Sequence, residues 1–320
     1  MLDLPPRGLG AAQLGNLFRE FSDDEAAAVV DAAWAVGIRY YDTAPHYGLG
    51  LSERRLGAAL KERPGAVVST KVGRLIVPSP ETADRLDDEG FVVPADRRRV
   101  WDFSADGVRR SLEDSLERLG MDRVDVVYLH DPDQHWAEAS STGVAALIEL
   151  RDQGVVGAIG VGMNQSAMPA EFVRRHDIDV VLLAGRYTLL DQSALDDLLP
   201  LAVERGVRIV AGGVYNSGLL SEAWPADGAP YNYSPAPPDL IERARRLAEV
   251  CTAHGVDLPT AAVNFPARHP AVASVLVGAD TAEQVRVNAA RMATPVPDDL
   301  WAELDSTGLV RAYEGLDMTA

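Results

Sequence analysis

Residues 124–129 read VDVVYL, an apolar run broken only by Asp125 and followed at once by His130. A strand that is apolar at successive positions is buried on both faces, as in a parallel sheet covered by helices. Just upstream, GVRRSLEDSLERLG (107–120) places Val108, Leu112, Leu116 and Leu119 on one helical face and stops at Gly120. The alternation extends in both directions. DEAAAVVDAAWAVG (24–37) is another helical pattern closed by a glycine, and apolar runs at 7–12, 38–42, 66–71, 156–161, 179–183, 207–212 and 273–277 supply the other strands. Eight strands alternating with helical segments predict an α/β fold, a (β/α)8 TIM barrel, with 260–268 as an extra helix before the last strand. A doubly wound open sheet is the alternative, but no G-x-G-x-x-G opens a helix after the first strand.

A chain of 320 residues fits one barrel domain spanning 1–320. Its 48 acidic against 30 basic residues give a formal charge of −18. Such a polyanion is repelled by nucleic acids and anionic membranes, which points to a small-molecule partner. No apolar core of signal length follows Met1, and no run approaches the ~20 residues of a membrane span, so a cytoplasmic protein is expected. Cys251 has no second cysteine to pair with and reads as packing. Arg97, Arg98 and Arg99 lie between acidic neighbours and read as a solvated loop. Oligomeric state is left open.

Three connections are too long for simple turns: 73–103, 221–238 and 293–320. In a compact domain such excursions are usually lids or binding loops, here on the side where strands end. Trp101, Trp224, Tyr231, Tyr233 and Trp301 are their aromatic candidates for lining a pocket.

Chemistry gathers at the ends of consecutive strands. Asp42 ends the second strand within RYYDTAPHYGLGLSERRLG (39–57), Lys71 ends the third in AVVSTK (66–71), and His130 ends the fourth. All three point to the C-terminal mouth, where barrel active sites lie, and Tyr47 stands on the loop after Asp42. Singly they are a helix cap, a solvated end, a satisfied histidine and a rim tyrosine. Together they make a proton-transfer site. A free tyrosine has a pKa of about 10, and a neighbouring ammonium is expected to lower it. Asp42 would hold Lys71 charged, Tyr47 would serve as general acid for carbonyl reduction or base for alcohol oxidation, and His130 would hydrogen-bond the reacting oxygen. The hydride must then pass to or from a bound cofactor.

YDTAPHYG (41–48), Lys71 and LHDPD (129–133) resemble the Asp, Tyr, Lys and His tetrad of the aldo-keto reductases, a likeness that runs along nearly the whole chain. The resemblance implies a barrel that moves hydride between a nicotinamide cofactor and a carbonyl or alcohol. APHYGLGLSERRLG (44–57), LLAGRYTLLDQ (182–192) and GVYNSGLL (213–220) are similar to the branch that oxidises a cyclic hemiacetal to a lactone. There the substrate is an aldose of the L-fucose or D-arabinose type, or alternatively pyridoxal. A general NADPH-dependent aldehyde or ketone reductase is the remaining enzymatic reading, with His46 and Trp101 as candidate substrate contacts.

The same resemblance implies cofactor contacts at Asn164 in VGMNQ, at Ser217 and Gly218, and at Gly278, Asp280, Gln284 and Asn288 within SVLVGADTAEQVRVNAA (274–290). Gly278 and Gln284 stand where NADP-dependent relatives often carry a cation, and Asp280 would repel a 2′-phosphate. NAD is therefore expected over NADP, with Arg286 either a phosphate partner or part of a solvated helix face. The chain departs from the family at Ala184, where a Gln is common, and at Gly212, where a Tyr commonly stacks on the nicotinamide. HDPDQH (130–135) also raises a metal-dependent hydrolase, but no H-x-H pair ends the first strand to complete a ligand set, and no metal is expected. A non-catalytic cofactor-binding subunit is a third class, since some relatives serve as regulatory partners of membrane channels.

Overall fold

In the computed structural model, residues 3–232, 234–311 and 313 are described. Eight parallel strands close into a barrel: β1 Arg7–Gly10, β2 Tyr40–Asp42, β3 Val67–Val72, β6 Val126–His130, β7 Ala158–Met163, β8 Val180–Ala184, β9 Arg208–Gly212 and β12 Val272–Gly278, in the order β1-β12-β9-β8-β7-β6-β3-β2. Each lies within two residues of the stretch read from sequence. The short antiparallel strands β4 (Arg74–Pro78) and β5 (Arg97–Trp101) pair as a hairpin, and β10 (Pro230–Tyr231) pairs with β11 (Ser234–Pro235).

Helices follow the strands: α1 Asp23–Ala35, α2 Leu51–Leu60, α3 Ala105–Leu119, α4 Trp136–Glu138 leading through a turn of π-helix into α5 Val144–Asp152, α6 Ala167–Arg175, α7 Leu198–Arg205, α8 Pro238–Ala253, α9 Leu258–Asn264, α10 Ala282–Ala293 and α11 Asp298–Ser306. Their ends are written in the sequence. Ser22 caps α1 in a reciprocal capping box, its hydroxyl accepting from Glu25 N while the Glu25 carboxylate accepts from Ser22 N. Ser104 caps α3, and Gly120 closes it in the left-handed region at φ 62°. The extra helix expected at 260–268 is α9 plus a short 3-10 turn, Pro266–Arg268.

Strand parity sorts the barrel into inside and outside. Tyr40, Val126, Tyr128, Ala158, Val180, Leu182, Val210 and Leu276 pack together as one buried cluster inside. Tyr41, Val68, Val127, Leu129 and Val161, one residue out of step, belong instead to the larger core beneath the helices. Tyr40 and Asp42, Ser69 and Lys71, and Tyr128 and His130 therefore share the interior, each pair two residues apart.

The 73–103 excursion is not structureless. Its hairpin register runs from Arg74 opposite Trp101 to Pro78 opposite Arg97. The stretch between the strands folds down so that Ile76, Phe91 and Val93 pack with Leu49, Leu17 and Tyr47. Arg97, Arg98 and Arg99 thus lie on a strand rather than a loop, with Arg97 and Arg98 solvated as expected and the Arg99 side chain not. Arg99 is buried, bonding Asp87 through both terminal nitrogens (2.6 and 3.0 Å) and donating to His46 O at 2.8 Å. Trp301 is also unlike its expected role: it is buried on α11 against Phe265 and Arg268. Tyr231 is half-buried, Trp224 is exposed beside Arg245, and Tyr233 lies outside the described residues.

Candidate active site

The loop after β2 is shaped by close backbone contact. A Cβ on Gly48 would lie 2.2 Å from Gly15 O, and one on Gly15 would lie 2.6 Å from Tyr47 C, so two bare residues let the chains touch. Gly48, Leu49 and Gly50 all have positive φ (62°, 52° and 86°), and the turn they make brings Tyr47 back over the barrel.

There Asp42, Lys71 and His130 meet Tyr47. Lys71 Nζ donates to Asp42 Oδ2 at 2.7 Å, to Thr43 O at 2.9 Å and to the Tyr47 hydroxyl at 3.0 Å. The side chains of Lys71 and Asp42 are only 2% and 5% exposed, so this ion pair is dry. Ser69 Oγ donates to the other carboxylate oxygen, Asp42 Oδ1, at 2.7 Å. His130 closes the group, its ring edge-on to Tyr47 with centroids 6.0 Å apart.

Burial governs the electrostatics. It alone would pull the Lys71 ammonium down, but Asp42 and Tyr47 outweigh it and the group is held above its ordinary value. For Tyr47 the balance runs the other way. Burial raises the phenol, Lys71 opposes this without reversing it, and the net direction is upward, contrary to the lowering expected from the sequence. His130 is driven well below the usual imidazole range by burial and by Arg74 and Lys71. His46 falls to about 2 through burial, Arg74, Arg99 and Lys71. Both imidazoles are neutral, and each has a buried, unpartnered Nδ1.

The remaining wall is polar and aromatic. Arg74 donates to Asp131 Oδ2 at 2.5 Å and lies 4.3 Å from the Trp101 ring, which stacks on His135 at 5.0 Å. Asp131 sits in the left-handed region at φ 43°, and Asp133 accepts from Gln165 at 2.7 Å. Within HDPDQH, His130 Nε2 also lies 3.5 Å from Asp131 Oδ2, but among the described residues no three His, Cys, Asp or Glu side chains gather as metal ligands.

On β7 and β9 the mouth carries glycine in place of a side chain. Gly162 ends its turn of the interior beside Lys71, and Gly212 pairs with Ala184 across β9 and β8. Cβ atoms on Gly162 and Gly212 would meet nothing closer than 3.6 Å, so packing does not demand glycine there; the bare strands leave room for a flat ring. Gly212 and Ala184 are the two departures noted in the sequence. Asn164 is exposed immediately past β7. Asn216, Ser217 and Gly218 follow β9 with successive positive φ (48°, 59° and 106°), the N–H groups of Asn216 and Gly218 closing the turn onto Gly213 O and Tyr215 O at 2.9 and 3.0 Å, and Asn216 Oδ1 is buried without a partner. Beyond β12, Gly278 abuts Gln13, Asp280 N donates to Gln284 Oε1 at 2.6 Å, and Asn288 accepts from Tyr215 at 3.1 Å. These features fit a dinucleotide cofactor.

Sequence reasoning missed one cation. Arg19, on the β1–α1 connection, donates to Asp280 O at 2.6 Å across 261 residues. No pattern in the sequence signals it, since only the barrel's closure brings β1 beside β12. Arg286 is paired with Glu283 at 3.0 Å.

The closed parallel barrel and the buried Asp–Lys–Tyr–His group define a class of oxidoreductase. Residues 8–308 match the aldo/keto reductase family, and the chain belongs to it. It is 49% identical over 314 residues to D-threo-aldose 1-dehydrogenase of a Pseudomonas species, covering 97% of this chain and 95% of that protein. It is 41% identical to pyridoxal 4-dehydrogenase of Microbacterium luteolum, covering 95% and 94%. Among solved structures, the holo form of an aldo-keto reductase from Bacillus halodurans superposes with a TM-score of 0.72 at 26% identity, covering 96% and 93%. No described helix is long and apolar enough to cross a membrane.

Proposed function

We propose that the chain, as one barrel domain, oxidises the anomeric carbon of a cyclic aldose to the lactone, with NAD as hydride acceptor. The carrying observation is the dry chain Asp42–Lys71–Tyr47, with its 2.7 and 3.0 Å contacts, beside Gly162 of β7. A nicotinamide held at this mouth would supply the acceptor for the C1 hydride. The phenolate of Tyr47 takes the proton of the anomeric hydroxyl, and the Lys71 ammonium stabilises that phenolate. His130, neutral, hydrogen-bonds the substrate oxygen and orients it. Because burial raises Tyr47, the base form is scarce at neutral pH, and oxidation quickens as pH rises. Asn164 is assigned to the carboxamide, Ser217 and Gly218 to the pyrophosphate, and Gly278, Asp280, Gln284 and Asn288 to the adenosine end. His46 and Trp101 are assigned to the substrate.

The NAD reading is supported by the missing cations at Gly278 and Gln284 and by the engagement of Arg286 with Glu283. A cytoplasmic location is part of the same reading. Pyridoxal is the second substrate reading, favoured by the stacked wall of Trp101, His135 and Phe103. Absorbance of reduced nicotinamide with NAD or NADP, tested against L-fucose, D-arabinose and pyridoxal, separates these readings. Turnover of a sugar with NAD supports the proposal. Turnover of pyridoxal alone replaces the substrate, and NADPH consumption on simple aldehydes with no sugar oxidised overturns the proposal.

A further inference from the structure

The hydrogen-bonded group at the mouth does not end at Asp42. Ser69 Oγ lies 3.1 Å from the Tyr40 hydroxyl, which lies 3.0 Å from the Tyr128 hydroxyl, and all three residues are fully buried inside the barrel. The direction of every bond follows from proton counting. A carboxylate only accepts, so Ser69 gives its single proton to Asp42. Its oxygen can then only accept, so Tyr40 donates to Ser69, and Tyr128 donates to Tyr40. Three hydroxyl dipoles stand head to tail, all aimed at one carboxylate.

We propose that Ser69, Tyr40 and Tyr128 are positioning residues, a buried dipole chain that holds the charge on Asp42 and, through Lys71, sets the proton affinity of Tyr47. The inference rests on the proton-transfer role proposed above for Tyr47. Donors to a charged acceptor favour the charged form, and in a dry interior aligned bonds reinforce one another. Burial raises the pKa of both Tyr40 and Tyr128, so both keep their protons as donors across the working range. Beyond Tyr128 the apolar side chains of Val126, Ala158, Val180, Leu182 and Val210 pack inside the barrel, the Arg208 cation of β9 acts on Tyr128 from below, and the Tyr128 hydroxyl bonds to Tyr40, so the chain orients charge.

Without the Ser69 donor the negative charge on Asp42 is less well held, and the proton of Lys71 is drawn toward the carboxylate. Tyr47 then loses part of the cation that favours its phenolate, and its proton affinity rises. The other groups facing Tyr47 are Arg74 from β4, His130 and Asp131 at the end of β6, and His46 beside it. The substitutions leave these in place.

The test is the pH dependence of kcat in Ser69→Ala, Tyr40→Phe and Tyr128→Phe, with Ser69→Thr as the conservative control and a thermal melt on each. The limb assigned to Tyr47 should move upward by about half a pH unit or more in Ser69→Ala, by less in Tyr40→Phe and least in Tyr128→Phe. A half-unit shift is about a threefold loss of oxidation rate below the limb. Ser69→Thr should restore the limb. Limbs unmoved in all three, or moved equally, overturn the proposal, because a purely packing role lowers the melt without this grading. Tyr40→Phe adds no volume and decides the matter if the Ser69 variants fail to fold. The wild type is assayed first with aldose and NAD. If it is silent, the substrate reading has failed, and the same series is run on reduction of a simple aldehyde, where the falling limb reports Tyr47.

Discussion

Replacing Lys71 by Met keeps the length of the side chain and removes its charge. Asp42 is then a buried carboxylate whose remaining side-chain partner is Ser69. Breaking a buried pair by deleting one partner costs about 3–5 kcal/mol, roughly two to nearly four powers of ten in the folding constant. With side chains only 2% and 5% exposed, this pair has no water to soften the loss. Asp42→Asn alone should destabilise in the same direction by stranding the ammonium. The double variant carries neither charge of this pair and should return to within ~1 kcal/mol of the parent. Urea unfolding of the four proteins gives the coupling energy through the shift in midpoint, and none but the parent should turn over at more than about a hundredth of its rate. A coupling below ~1 kcal/mol, with each single variant nearly as stable as the parent, would refute the claim that the pair is dry. The account of Tyr47 would fall with it.

Tyr47→Phe should lower kcat by about 10²- to 10⁴-fold while leaving NADH affinity unchanged in a fluorescence titration. The depressed His46 gives a pH dependence of stability whose sign is fixed. Below an unfolded value of ~6.5 the unfolded chain binds a proton that the folded chain refuses, down to about 2, so stability falls with pH in that window. Each such imidazole contributes about 1.4 kcal/mol per pH unit, and His46→Gln should flatten a urea-derived stability profile by that slope. Whatever NADP activity is measured should vanish in Arg19→Ala with NAD activity kept, since Arg19 is the cation beside Asp280 that does not come from α10. Gly212→Val should fold normally and lose NADH binding, because its side chain enters the mouth at the end of β9.

The barrel was legible because its strands are short, apolar and separated by helices with readable caps, so neighbours in sequence are neighbours in space. The tetrad was legible for the same reason, since Asp42, Lys71 and His130 each terminate an apolar run. What escaped was set by distant pairing. The hairpin joining Arg74 to Trp101 spans a long insertion whose own residues carry no strand alternation, and without it Arg99 reads as solvated. Arg19 meets Asp280 only because the barrel closes. The direction of the Tyr47 shift depends on how deeply the phenol is buried under Phe91 and its neighbours, a quantity no local pattern contains. Tyr40, Ser69 and Tyr128 lie in the expected strands, and strand membership gives their parity but not their partners.

That parity has a consequence for how this protein can vary. The rise of two residues that carries Asp42, Lys71 and His130 to the rim carries Tyr40, Ser69 and Tyr128 to the storey below, so the two storeys share one set of walls. A single-residue insertion early in β3 would turn Ser69 and Lys71 toward the helices and present Val68 and Thr70 in their stead. The chemistry at the rim and its foundations thus stand or fall as one inheritance, and redesign of either is redesign of both.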